Sequence, residues 1–355
     1  MPGYPPAKLQ EKGITVMENK KRVLVLGGTG AMGVYVVPAL IEAGYKVDVL
    51  SLDKVESDDP DLRYFQVANA KVEDTIRPFL EDGYDGIVDF MIYQTKTFEH
   101  RHHLLLSNTK HYIYLSSYRV YANEEHPITE ASPQLLDVST DTDMLSTDMY
   151  ALAKARQEDI LEQSEYKNWT IIRPAITYSK FRYQLVTTEA PNNVNRAIQK
   201  KKVLLPEGAK NAQATMTWAG DMAKMIVRLL FNEKAYCQHY TTSTSEHNTW
   251  GKVAEYYSEL IGLEPVWIPT EDYLSIMDPK EPQRGPRWIL EYDRMFDRIV
   301  DNSKVLEATG LSQDDFMPLY EGLKLELSNL PRDTVWERDM EVFHRMDEYI
   351  EKHGL

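Results

Sequence analysis

The chain is predicted to be an α/β protein, a doubly wound parallel sheet followed by a smaller C-terminal α/β domain. Three observations carry that reading. From Arg22 onward, short apolar β-branched runs alternate with longer helix-like stretches, the pattern of a parallel sheet covered by helices. A glycine-rich segment, Gly27 to Gly33, sits where the first such run hands over to a helix. After Pro174 the alternation loosens into loops that contain Pro191, Pro206 and Pro265.

The expected elements follow in order. RVLVLG (22–27) reads as a first buried strand, and 31–43 as a helix closed by Gly44, a suitable C-terminal cap. KVDVLSL (46–52), RYFQVA (63–68), GIVDFMIY (86–93), HYIYLSS (111–117) and WTIIRPAI (169–176) are the further strands, with helical segments between most of them. Helices are expected near 192–200, 220–231 and 249–261. The tail 332–352, charged but with Val335, Met340, Phe343 and Met346 at helical spacing, reads as a surface amphipathic helix. The expected division is an extended or disordered segment 1–20, a dinucleotide-binding domain 21–178 to which later segments contribute, a substrate domain 179–331 and a C-terminal helix 332–355. Met17 opens a run, MENKKRVLVLGG, that reads as a second natural start.

Bulk properties exclude several classes. Hydrophobic residues at 43% and charged residues at 27% are too mixed for a disordered or fibrous chain. A net charge of −15 repels phosphate backbones and anionic membranes, so no nucleic-acid or membrane partner is expected. No run approaches the ~20 apolar residues of a membrane span, and the first residues lack the apolar core of a signal peptide. Cys237 is the only cysteine, which rules out an intrachain disulfide and a multi-thiolate zinc site and fits a cytoplasmic setting. His100, His102 and His103 cluster on a polar helix-like stretch without a spaced carboxylate, so no metal site is expected there.

The segment Gly27-Gly28-Thr29-Gly30-Ala31-Met32-Gly33 has the strand–turn–helix context that turns a glycine pattern into a dinucleotide site. Residues without Cβ let backbone N–H groups approach a pyrophosphate, and the helix adds its positive N-terminal end. The second strand ends in Ser51, then Leu52, Asp53 and Lys54, where a carboxylate usually accepts bonds from the ribose hydroxyls. Ser51 and Lys54 suit a 2′-phosphate, whereas Asp53, Glu56, Asp58 and Asp59 repel one. The balance favours NAD, with NADP the alternative, and Asp53 reads equally as a solvated loop acid.

Tyr150 and Lys154 are four apart on a helix-like run and share a face. A neighbouring ammonium favours a phenolate, which makes such a tyrosine usable as an acid or base. Ser116 and Ser117 lie at the carboxyl edge of the strand before it, where folds of this type place their ligands.

Glycine loop, serine and Tyr-x-x-x-Lys occur in the order of the extended short-chain dehydrogenases and reductases, and the chain resembles them over most of residues 22–330. VDFMIY (88–93), Arg173-Pro174, MTWAGDMAKMI (216–226), HNTWGKVAEYY (247–257) and VDNSKVLEATGL (300–311) are similar to the epimerase/dehydratase branch, nearest to the epimerase-like group that includes the chloroplast stem-loop-binding proteins. The resemblance implies a Rossmann-type fold with cofactor contacts at Gly27, Thr29, Gly30, Ala31, Met32, Gly33, Ser51, Asp53, Asn69, Tyr150, Lys154 and Pro174. It implies that Ser117 polarises the substrate oxygen, Tyr150 exchanges its proton, and Lys154 binds the nicotinamide ribose and assists Tyr150. Ser116, Ser117, Asn192 and Arg294 are the implied substrate contacts, and a homodimer is implied as well.

Two departures qualify the resemblance. Nucleotide-sugar epimerases usually carry an arginine, gripping the diphosphate, where this chain has Ala214; Arg287, Arg294, Arg298 and the cluster of Arg196 with Lys200 to Lys202 are the candidate substitutes. Dehydratases usually carry an acid pair where this chain has Tyr118 and Arg119, which disfavours dehydration. Asp221 is read as a helix cap, and Ser146, Thr147 or Asp148 as the cap of the Tyr150 helix. The implied activity is NAD(P)-dependent epimerisation or oxidoreduction at a hydroxyl or keto carbon of a sugar nucleotide or similar substrate. The rivals are a ketoreductase of a non-nucleotide substrate and, from another class, a catalytically silent dinucleotide-binding scaffold or RNA-associated protein.

Overall fold

The computed structural model describes residues 20–281, 283–330, 334, 336 and 340–355; the expected segment 1–20 lies outside it except for Lys20. Its strands, in chain order, are β1 (Arg22–Leu26), β2 (Lys46–Ser51), β3 (Leu62–Gln66), β4 (Tyr84–Asp89), β5 (Thr109–Leu115), β6 (Trp169–Ile172), β7 (Ile176–Tyr178), β8 (Lys202–Pro206), β9 (Gln213–Trp218), β10 (Gln238–Tyr240), β11 (His247–Thr249) and β12 (Glu264–Ile268).

Seven of these form one parallel sheet in the order β10-β6-β5-β4-β1-β2-β3. The strand order reverses across the sheet between β1 and β4, and this is the point where doubly wound folds open a ligand crevice at their carboxyl ends. Val23, Leu24, Val25 and Leu26 are all fully buried, as a central parallel strand covered on both faces requires. The one acid inside the neighbouring strand, Asp48, is held by two hydrogen bonds of 2.7 Å from Arg63 and one of 2.8 Å from Tyr84.

One face of the sheet packs against helices Gly33–Glu42, Ala219–Leu229 and Ser303–Thr309, through Val36, Val37, Leu40, Met222, Ile226 and Val305. The other packs against helices Glu73–Leu80, Thr95–Ser107 and Tyr150–Gln163, through Ile76, Leu80, Phe98, Leu105 and Leu161. Thus helix Ala219–Leu229 and strand β10 come after residue 178 yet complete the first sheet and its cover.

The expected strand 169–176 is two strands in different sheets. β6 ends at Ile172, and β7 begins at Ile176 in the small sheet β11-β9-β7. Pro174 lies in the break, because it has no N–H for a ladder and a fixed φ; its carbonyl accepts from Tyr118 N at 3.0 Å. A further pair, β12-β8, and helix Trp250–Ile261 build a second core around Trp250, Tyr257, Leu204, Leu205 and Leu323. Thr249 caps that helix by accepting from Lys252 N, and Gly262 ends it at φ +70°.

Of the expected C-terminal helix, Met340–His353 is described and Val335 lies outside the described residues. Met346 is buried in the second core and Phe343 is buried under Arg196 and Lys201, so the helix is amphipathic and docked. No helix among the described residues is long and apolar enough to cross a membrane.

Candidate active site

The glycine loop leaves β1 with Gly27 in the left-handed region at φ +77°, a conformation that disfavours any residue with a Cβ. Gly33 lies against Gly28 so closely that a Cβ there would stand 2.4–2.5 Å from Gly28 backbone atoms. That contact lets the first helix start flush against the strand. At Gly30 a Cβ would meet only Gly27 O, at 3.5 Å, so the backbone there is open on its outer side. Helix Gly33–Glu42 begins behind Met32 without a side-chain cap and without an acid in its first turn, so no side chain competes with an anion for its positive end, although Val34, Tyr35 and Val36 already donate to Gly30 O and Met32 O. Thr29, Ala31 and Met32 complete the turn at partial exposure. These features fit the pyrophosphate of a dinucleotide. The helix is assigned from Gly33 and not from residue 31, because Ala31 and Met32 belong to the turn.

Ser51 closes β2 and is buried; its hydroxyl donates to Asp53 O at 3.0 Å and accepts from Asp53 N at 3.2 Å. The serine is therefore engaged in shaping its own turn, and Asp53 projects on the exposed side. Asn69 is exposed beyond β3, with Oδ1 accepting from Lys71 N at 2.9 Å, and it borders the same depression as Gln94 and Tyr150.

Beyond β5 the chain turns through Ser116 and Ser117 into a short 3-10 turn, Tyr118–Val120, which Ser117 caps by accepting from Arg119 N at 3.2 Å. Ser116, Ser117, Arg119, Tyr150 and Pro174 line one cavity of about 340 Å³, together with Met32 from the glycine loop. Met32 carries the expected cofactor side into that cavity and Arg294 bounds it from the second core. Ser116 Oγ is buried there without a hydrogen-bond partner among the described residues, an orphan that a ligand oxygen would satisfy.

Lys154 sits behind this wall, 1% exposed, and donates to Leu115 O at 2.5 Å. Its Nζ is 4.6 Å from the Tyr114 ring centre and 5.9 Å from that of Tyr150. Burial pulls its ammonium down to about 8, opposed by the carboxylates of Asp89 and Glu158. Asp89, at the end of β4, is itself buried under hydroxyl donors Tyr93 and Tyr112, each at 2.8 Å.

The substrate-side expectations fare differently. Asn192 is buried with Oδ1 unpartnered but does not line the cavity; its neighbour Asn193 donates to Tyr183 O and accepts from Val194 N. Arg294 lines the cavity, yet its donors are taken by Val186 O, Tyr118 Oη, Gln184 and Asp293. Arg298 is spent on Asp293 and the carbonyls of Tyr121, Ala122 and Tyr292. Arg287 is held by Glu271 and Glu291, and Arg196 by Lys202 O, Phe343 O and Asp347. Each candidate arginine substitute for the one missing at Ala214 therefore has protein partners. Sequence reasoning weighed Arg119 only as a missing acid and missed it as a cavity residue.

Two caps also differ from expectation. Asp221 accepts from Lys224 Nζ and from Met317 N, each at 2.8 Å, and so ties a distant loop to its helix without capping that helix. Asp148 accepts from Thr95 N at 2.8 Å and thereby caps helix Thr95–Ser107; the Tyr150 helix starts behind Met149 with no side-chain cap. Among the described residues no group of His, Cys, Asp and Glu side chains is arranged to hold a metal ion.

Comparisons place this geometry among known proteins. The chain superposes on the UDP-glucose 4-epimerase of Thermotoga maritima with a TM-score of 0.64 at 21% identity, covering 86% of this chain and 97% of that one. The corresponding epimerase of Thermus thermophilus gives 0.62 at 17%, over 88% and 100%. A short-chain dehydrogenase/reductase superfamily protein of Agrobacterium tumefaciens with bound NAD gives 0.61 at 14%, over 94% and 100%. No curated protein matches the sequence. The profile of the NAD dependent epimerase/dehydratase family matches residues 23–240, from the first strand through the seventh strand of the sheet. With more than half the chain matched and the glycine cradle in place, the protein is an NAD-dependent enzyme that belongs to the NAD dependent epimerase/dehydratase family.

Proposed function

We propose that the protein oxidises and re-reduces, or reduces, a carbinol or keto carbon of a sugar nucleotide or similar hydroxyl-bearing substrate, as an epimerase or reductase. The observation that carries this reading is the convergence of Ser117 and Tyr150 on one cavity at the carboxyl edge of β5, with Lys154 buried behind Tyr150. The solved relatives named for UDP-glucose epimerisation support the substrate class. A silent scaffold has no use for a buried ammonium at this position, which costs free energy to desolvate.

The backbone N–H groups that the Gly27 to Gly33 turn leaves unpaired would hold the pyrophosphate of NAD, and Lys154 would hold its nicotinamide ribose. Bound NAD would supply the hydride acceptor for oxidation of the substrate carbon and, as NADH, the hydride for its reduction. The Ser117 hydroxyl donates a hydrogen bond to the reacting oxygen, keeping its own proton, and so orients it. Tyr150 takes the proton from that oxygen during oxidation and gives it back during reduction. Tyr118 and Arg119 replace the acid pair that elimination of water would need, so the reading stops at redox chemistry.

The test is NMR of nucleotide sugars and keto sugars incubated with the protein and NAD or NADH, with absorbance of reduced nicotinamide followed in parallel. Epimerised or reduced product is expected; no product and no absorbance change across such a panel would sink the proposal.

The position of Lys154 adds a pH dependence. Below about pH 8 its ammonium is present and serves the site, so kcat/KM is expected to fall as pH rises through about 8. Stability should move the other way. Between about 8 and the unperturbed value of 10.5 the folded state has released a proton that the unfolded state keeps, so the desolvation penalty is relieved as pH rises. A pH–rate profile beside urea titrations at pH 7 and 9 checks both signs.

A further inference from the structure

Arg119, Arg182 and Arg294 line the cavity and none takes part in the hydride or proton steps. Arg119 follows Ser117 by two residues on the same 3-10 turn, and its guanidinium carbon lies 5.2 Å from the Tyr150 ring centre. Its Nε is 3.1 Å from Asp293 Oδ2, near enough for an ion pair but outside hydrogen-bond geometry. Among the described residues none accepts a hydrogen bond from this guanidinium, although its side chain is only 16% exposed. Asp293 also faces Arg294 and Arg298, so three guanidinia share a single buried carboxylate. Arg182, also in the cavity wall, pairs with Glu189 at 3.5 Å, a carboxylate that no other guanidinium among the described residues shares, and its side chain is more exposed, at 36%.

A buried surplus of positive charge is costly unless an anion completes it. Arg294 and Arg298 have spent their donors on the protein, so the anion must come to Arg119. A planar guanidinium that keeps its terminal nitrogens free matches a carboxylate or a phosphate in paired geometry, and with the Tyr150 ring only 5.2 Å away the compact carboxylate, joined directly to a neighbouring carbon, is the anion that fits beside the reacting centre.

We propose that the substrate carries a carboxylate beside the carbon that reacts, and that Arg119 binds it while Ser117 and Tyr150 hold the carbinol oxygen. A uronate sugar is the simplest molecule of that class. The placement rests on the assignment of Ser117 and Tyr150 to the carbinol, and the specificity belongs to Arg119.

Calorimetric binding to the NAD-saturated protein tests this with matched pairs: UDP-glucuronate against UDP-glucose, and free glucuronate against glucose, with glucose 6-phosphate as the competing anion. The acid of each pair is expected to bind roughly ten- to hundredfold more tightly, the range of a charge-assisted hydrogen bond. Arg119→Gln should abolish that advantage and Arg119→Lys retain part of it, both judged at unchanged NAD affinity so that misfolding is recognised. Equal binding of acid and neutral sugar, a preference that survives Arg119→Gln, tighter binding of the phosphate, or failure of every acid to bind would each overturn the proposal. Turnover of neutral sugars without acid preference would overturn it and leave the redox reading standing. Acid preference without hydride transfer would do the reverse.

Discussion

Replacing Tyr150 with Phe is expected to lower kcat about 10²- to 10⁴-fold, the usual share of a positioned acid–base group. On the scale of about 1.4 kcal/mol per factor of ten, that is roughly 3–5 kcal/mol of barrier. The substitution removes one hydroxyl and keeps the ring, which packs beside the Arg119 guanidinium at 5.2 Å and the Lys154 ammonium at 5.9 Å. NAD affinity and the urea midpoint should therefore stay close to wild type. Single-turnover measurement at saturating cofactor separates chemistry from binding. Wild-type turnover in Tyr150→Phe would mean that the proton moves through another group.

The second large effect is on stability. Asp293→Ala is expected to destabilise the protein by about 3–5 kcal/mol, because it strands buried charges with no partner. Burial by itself would raise the Asp293 carboxyl, but Arg294, Arg119 and Arg298 outweigh it and hold it below the usual carboxylate range. The sign for pH follows from that depression. Stability from this carboxylate is fully present above the unfolded value of 3.8 and is lost only as pH falls through the lower folded value. Urea denaturation of Asp293→Ala at neutral pH is the check, and a midpoint unchanged from wild type would show that water already compensates the cluster.

Much of the cofactor side was legible in the chain itself, because its signals are local. The spacing of Gly27, Gly30 and Gly33 encodes a left-handed turn, an open backbone and a tight helix start, and all three depend on neighbours a few residues away. The pair Tyr150 and Lys154 was readable for the same reason, since residues four apart on a helix share a face. Alternation of β-branched runs with helical stretches was enough for the seven-stranded sheet, apart from β10, which is short and returns from beyond the first domain.

What escaped local reading depends on partners far along the chain. Pro174 marks a passage between two sheets, yet an apolar run on both sides of it reads as one strand until the sheets are assembled. Asp148 precedes one helix and caps another, and Asp221 serves a loop that includes Met317. The arginines show the limit most clearly. By residue type Arg294, Arg298 and Arg119 are equal candidates to meet an anion, and nothing in their immediate sequence separates them. The sequence by itself determined that a glycine turn opens the first helix and that a serine at a strand end and a Tyr-x-x-x-Lys pair on a later helix accompany it. Only the tertiary structure decided which guanidinium keeps donors that no described residue accepts, because a side chain's free donors are whatever the folded chain has not already used.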